Sequence, residues 1–294
     1  MTARAANRSG SQSAAGRGRS GRLPKRRYVS TAGLLVVLLI MMSPFLIMVG
    51  DSLRSDYSAG TYPLGLPTHP QWGNYADVFK QMSYLSSLGN SLLITGCSVI
   101  VVILAGSLCS YPLARLARRW TTLTYGLFVI GITVPEFVVL TPLYLLMHQL
   151  GLLNSYLSVI LAYSALNLPF AVFFYTGFLK AIPIELEEQA AIDGCSTIGT
   201  FFRIVLPLLR PATATLSIFI SIAIWNDLAL PLLFLPSGKN TVTLGVYSFI
   251  SATKGFETSQ LFPAVVLGIA PLFMAFLILQ RHIIAGITAG VGKG

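Results

Sequence analysis

Charge is what this sequence has least of. Only 10% of its 294 residues are charged, against about 25% in soluble domains. Ten residues are acidic. That scarcity excludes an ordinary soluble domain. Cysteine is scarce too, with three in the chain. Cys97 and Cys109 fall in one predicted helix, ~18 Å apart at about 1.5 Å of rise per residue, too far to pair. Cys195 falls in a segment read below as cytoplasmic, where thiols stay reduced. No disulfide is expected. The three histidines, His69, His148 and His282, are scattered and suggest no metal site. No Gly-x-x-x-x-Gly-Lys-Ser/Thr loop is present, so the chain is not expected to hydrolyse a nucleotide by itself. The alternation of a barrel strand is missing as well.

What the sequence does have is uncharged length. Hydrophobic residues make up 54% of it. Six apolar runs approach or exceed the roughly 20 residues that a helix needs to cross the hydrocarbon core. They cover about 31–50, 91–113, 123–147, 156–179, 212–235 and 261–279. A helix satisfies its own backbone in lipid, so the expected fold is all-α and polytopic, with six transmembrane helices over 31–280. The first run follows basic residues and has the look of a signal peptide. Its core is long, five further runs follow, and no small-residue cleavage site precedes Asp51, so a signal-anchor helix is the better reading.

Basic residues set the expected orientation. Sixteen of the 20 Lys and Arg residues fall in the N-terminal tail, the loops after the second and fourth runs, and the C-terminal tail. The other four are Arg54, Lys80, Lys239 and Lys254. The positive-inside rule then puts both termini and the 180–211 loop in the cytoplasm. The net charge of +10 comes largely from the first 30 residues. That Gly/Ser/Arg-rich stretch reads as a disordered cytoplasmic arm near anionic lipid. No aromatic residues interleave the basic ones, which disfavours a nucleic-acid partner. Residues 281–294 read as a C-terminal tail, and its glycines predict no stable helix on its own.

Four of the ten acids, Glu185, Glu187, Glu188 and Asp193, crowd into one short stretch, ELEEQAAIDGCSTIGTFFRIVLPLLRP over 185–211. Pro183 suits a first helical turn, and the glutamates suit a helix N-terminus. Gly194 is a natural left-handed stop. Ser196 or Thr197 would cap a second short helix, with Ile198, Phe201, Phe202 and Val205 on one apolar face. On composition alone this is a solvated connector or a contact surface. Its spacing resembles the EAA loop of ATP-binding-cassette importer permeases: Glu-Ala-Ala, three residues, Gly, nine residues, Ile, one residue, Leu-Pro. Glu188, Ala190, Gly194, Ile204, Leu206 and Pro207 fall in register, and Gln189 departs from the usual Ala.

Two further segments are similar to the carbohydrate branch of that family. IWNDLALPLL, from 224, resembles its Trp-Asn-Asp/Glu segment, with Leu230 where Trp often precedes Pro-Leu. LQRHIIAGITAGVGKG, from 279, resembles the Gly-rich tail of the six-span, maltose-type inner subunits. The resemblance covers roughly residues 30–294. It implies a type I importer transmembrane domain working with a second permease, two ATPase subunits and an extracytoplasmic solute-binding protein. ATP and Mg would sit on the ATPase subunits, with no cofactor on this chain. The loop, with Phe201 and Phe202 as anchors, would dock on an ATPase subunit. The tail would reach between the two ATPase subunits.

Glu136 and Asp227 are ionisable residues inside predicted spans, where a charge costs about 2.5–3.5 kcal/mol and normally faces a cavity or a partner. Glu136 follows Pro135, where a broken helix would admit water. Asp227, beside Trp225 and Asn226, reads either as a translocation-pathway residue or as a hydrogen-bond partner between helices. Tyr163, Asn167 and Tyr175 complete the polar and aromatic groups that would face a sugar. The expected function is permease in an ATP-driven sugar importer. The rivals are a permease of the same superfamily for another solute and a proton-coupled secondary transporter.

Overall fold

The computed structural model describes residues 25–55, 65, 67–252 and 258–291. The basic tail through residue 24 and residues 292–294 lie outside them. Every regular element among the described residues is a helix. The chain divides into two compact units, residues 1–47 and 48–294.

Helix α1, Lys25–Ser52, starts six residues earlier than the apolar run predicts. Its side chains from Leu34 to Leu46 are exposed. So continuous an apolar surface suits lipid or another membrane helix.

The second unit is built on two long helices, α3 (Tyr84–Arg115) and α6 (Tyr156–Ala181). They lie against each other with the same direction. Gly106 of α3 meets Ala171 of α6 so closely that a Cβ on the glycine would come 2.9 Å from the alanine Cβ. One turn further on, Ser110 Oγ donates to the Val172 carbonyl at 3.2 Å. Lipid gives no hydrophobic drive to helix association, so small residues and interhelical hydrogen bonds carry this contact. Two like-directed helices need a return between them. That return is α4 (Arg119–Thr133) and α5 (Glu136–Gln149), bent by 105° across Val134 and Pro135. The predicted single span over 123–147 is therefore two helices. Pro135 supplies the reason: it biases the residue before it out of the helical region, and Val134 is extended.

The fifth apolar run is also divided. A loop pair, α7 (Glu185–Ile192) and α8 (Thr197–Leu208), leads into α9 (Arg210–Asn226), which is bent by 69° from α8. The run breaks at Asp227, and α10 (Ala229–Phe234) follows. Helix α2 (Gly73–Gln81), α11 (Val242–Ala252) and α12 (Thr258–Val291) complete the unit. Among the described residues, four helices are long and apolar enough to cross a membrane, or six if each bent pair counts as one span. Helix α12 continues to Val291, where the glycines predict an unstable end. Extending an existing helix avoids the nucleation cost that an isolated segment would bear.

One end of the bundle is fastened by polar contacts. Tyr156 donates to Asn90 Oδ1 at 2.8 Å, and Asn90 Nδ2 donates to the Asn240 carbonyl at 2.9 Å. The Val242 amide donates to Ser91 Oγ at 2.8 Å. The α3 and α6 C-termini lie at the other end, with α7.

Candidate functional site

Two helix breaks and the proline-bearing stretch of α6 meet around one cavity of about 380 Å³. It is lined by the α4–α5 break, by Asn167 and Pro169 in α6, and by the α9–α10 break. Gly131, near the end of α4, packs on the Pro169 ring; a Cβ there would lie 3.2 Å from it. Non-helical backbone at membrane depth is tolerated where it lines such a cavity. Glu136, Tyr163, Asn167 and Asp227, four of the seven residues singled out for the pathway or for facing a sugar, line this one cavity.

Asp227 is held there from three sides. Its Oδ2 accepts from Tyr163 Oη at 2.8 Å and from the Leu230 amide at 3.0 Å, and its Oδ1 accepts from the Ala229 amide at 3.0 Å. Two of those donors are first-turn amides of α10, which no helical carbonyl can satisfy. Asp227 thus caps α10 and ties it to α6 while lining the cavity. The hydrogen bond between helices is the structural one of its two sequence readings. Glu136 is exposed in the first turn of α5. Asn167 donates back to the Tyr163 carbonyl at 2.9 Å.

Trp225 and Asn226 lie elsewhere. They line a second cavity of about 340 Å³ between α9, α11 and α12, with Thr243 and Tyr247. The buried Trp225 Nε1 has no hydrogen-bond partner. Tyr175 is buried completely and shares a 2.9 Å hydrogen bond with Thr213, which makes it a core residue rather than a sugar-facing one.

The acidic loop takes the shape its residues dictate. Gly194 has φ +84° and ends α7. Ser196 Oγ accepts from the Gly199 amide at 3.2 Å and caps α8. Within α8, Phe201–Val205 form a wide π turn, closed by the Leu206 amide on the Phe201 carbonyl. Pro207 explains the widening, since it lacks an N–H and its ring crowds the carbonyl four residues back. The apolar face expected of α8 is split. Phe201 (3% exposed) and Val205 (0%) turn into the bundle, while Ile198 (73%) and Phe202 (49%) turn out. The four residues lie within about 100° of helix arc, but the bundle covers only the side that carries Phe201 and Val205. Ala190 is buried in the chain's own core, and Glu188 is exposed. Ile204, Leu206 and Pro207 are half-buried.

The sequence reading missed what fastens this loop. Glu187, not Glu188, reaches the bundle. Its Oε2 accepts from Tyr111 Oη and its Oε1 from Arg115 Nε, both at 2.7 Å. Arg115 also donates to the Ile182 carbonyl at 3.1 Å. Tyr111 packs against Phe201, with ring centroids 5.2 Å apart and planes tilted by 58°. Glu187 lies 72 residues from Arg115, and their pairing leaves no local pattern. The available signal was weak: Arg115 is the first basic residue after the 91–113 run.

Over residues 102–289 the sequence matches the family of binding-protein-dependent transport system inner membrane components. The chain belongs to this family. The inner membrane component is 30% identical to the diacetylchitobiose uptake system permease NgcG of Streptomyces coelicolor, over 90% of this chain and 89% of that one. It is 33% identical to the melibiose/raffinose/stachyose import permease MelC of Bacillus subtilis, over 85% and 91%. Its fold is that of a chain in the crystal structure of a bacterial ABC transporter that imports the acidic polysaccharide alginate. That match has a TM-score of 0.73 and 18% identity, and covers 91% of this inner membrane component and 99% of that chain. The all-helical architecture expected from the resemblance is thus the observed one, and the chain is a multi-pass membrane transport component.

Proposed function

We propose that this chain is one of two permease subunits in an ATP-driven sugar importer, and that the 185–208 loop pair transmits ATPase closure to the membrane helices. The observation that carries the coupling role is the loop's outer edge. Ile192 of α7 is 85% exposed, and Ile198 and Phe202 of α8 are exposed as well, on a loop otherwise fastened to the bundle. Apolar side chains on a braced, charged loop match the anchors that fill a partner's pocket. The sugar class rests on the relatives, whose names specify diacetylchitobiose uptake and melibiose, raffinose and stachyose import.

The other parts follow the family's architecture. A second permease would complete the pathway at the cavity shared by Glu136, Tyr163, Asn167 and Asp227. An extracytoplasmic binding protein would deliver the sugar. ATP binding would open the pair outward and hydrolysis would reset it. Both termini and the loop would face the cytoplasm, as the basic residues favour.

The test is reconstitution in liposomes with the second permease, the ATPase and the binding protein, using radiolabelled raffinose, melibiose and diacetylchitobiose. ATP-dependent uptake of one of these is the expected result. Uptake by this chain alone under a proton gradient would overturn the proposal. So would ATP-dependent transport restricted to a non-sugar solute.

A further inference from the structure

We propose that Arg115, Tyr111 and Glu187 form a rigid joint that makes α7 a mechanical extension of α3, so that a push on the loop moves the α3–α6 body as one piece. The proposal rests on the reading that the loop docks on an ATPase subunit, and it adds which side chains pass the displacement on.

The geometry is that of a brace. Both oxygens of Glu187 are engaged, one by the Tyr111 hydroxyl and one by the Arg115 guanidinium. The side chains of Arg115 and Glu187 are only 12% and 11% exposed. A charge pair so far out of water is costly to separate, because each partner would be left buried and uncompensated. Arg115 also holds the Ile182 carbonyl, which ends α6. One guanidinium therefore gathers the C-terminus of α3, the C-terminus of α6 and the first turn of α7. Its fork of fixed donors suits such a three-way junction better than a lysine point charge. Behind the junction, the Gly106–Ala171 contact and the Ser110–Val172 hydrogen bond lock α3 to α6. Packed elements of this kind move as bodies. The acids on the solvent side, Glu185 and Glu188, make no such contact with the bundle; they are exposed.

The measurement is a spin-label distance across the joint in the full complex. One label goes on the exposed native Cys97 of α3 and one on position 185 (Glu185→Cys), with Cys109→Ser and Cys195→Ser. With the joint intact, the distance should be the same without nucleotide and with Mg·ATP. In Glu187→Gln, Mg·ATP should shift it by about 2 Å or more, the scale of helix displacements at interfaces, and broaden it. Tyr111→Phe removes one hydrogen bond at constant shape, so it serves if Glu187→Gln assembles poorly. It should broaden the distance distribution in the presence of Mg·ATP. A constant, narrow distance in these variants with ATPase subunits bound would overturn the joint alone. So would a shift with the joint intact. A pair that only stabilised the fold would lower the yield of complex and leave the distance constant. Failure of the ATPase subunits to bind even the unaltered chain would remove the docking reading, and the joint with it.

Discussion

Gly194 has room for a side chain and still resists one. A Cβ there would meet nothing within 4 Å, yet φ is +84°. The penalty for substitution is therefore conformational, about 1–2 kcal/mol for a typical L residue in the left-handed region. Asn tolerates that region and Val does not. Gly194→Val should lose ATPase co-purification and ATP-driven uptake several-fold, while Gly194→Asn should keep most of both. Equal behaviour of the two variants would show that the turn's conformation is not what docking needs. The glycine was legible in the sequence because a left-handed stop has a residue signature. Asp227 was legible only in part. Its place in a span flagged it, but its three donors come from α6 and α10, and nothing in the sequence marks that convergence. Removing its carboxylate strands those donors, at about 1–3 kcal/mol for each buried group. Tyr163→Phe leaves both α10 amides bonded and should cost only about 1 kcal/mol. Thermal unfolding in detergent should therefore rank the wild type first, then Tyr163→Phe, then Asp227→Ala. Asp227→Ala should lose assembled protein as well as transport. If Asp227→Ala melts like the wild type, the carboxylate does not brace α10.

Helix existence was read well at the scale of elements, and helix continuity was not. Hydropathy counts apolar residues and is blind to direction, so the run over 123–147 looked like one span although Pro135 turns it by 105°. Asp227 likewise interrupts the run over 212–235. Helices α2 and α11 are too short to register as spans. The loop pair shows the same limit: helical spacing put four apolar residues of α8 on one face, but spacing cannot say how wide a strip the bundle covers. The observed split gives a direct test. Phe202 faces out, so Phe202→Ser should leave membrane insertion and melting unchanged and reduce ATPase co-purification at least several-fold. Phe201 is buried against Tyr111, so Phe201→Ala should cost about 3–5 kcal/mol and reduce folded protein. Affinity pull-down with the ATPase, beside fluorescence-detected gel filtration, separates the two effects. Reversed outcomes would mean that the loop meets its partner through the other edge.

For the whole molecule, what remains is how it meets other subunits, and the C-terminus is the place to test it. The sequence gives this end four glycines, at 286, 290, 292 and 294, which argues against an independent helix. The structure nevertheless continues α12 to Val291. At about 1.5 Å per residue, the stretch from 285 to 291 adds some 10 Å of helix beyond Ile284. The tail thus begins, over residues 285–291, as a helical continuation of α12, not an extended strand. It carries Lys293 just beyond that end. If it meets the ATPase pair, it does so as a helix end held at a set direction by α12. Deleting residues 285–294 should leave the membrane helices inserted, since those residues follow the last apolar run, but should weaken ATPase co-purification or slow sugar-stimulated hydrolysis. A second variant tests the conformation. Gly286→Ala with Gly290→Ala favours helix by about 1 kcal/mol at each position. A tail that works as a helix should tolerate this pair with unchanged hydrolysis. A tail that must unwind between the ATPase subunits should not. Hydrolysis and co-purification that match the full chain after deletion would make the tail a passive end, and the loop would then carry the whole of the coupling.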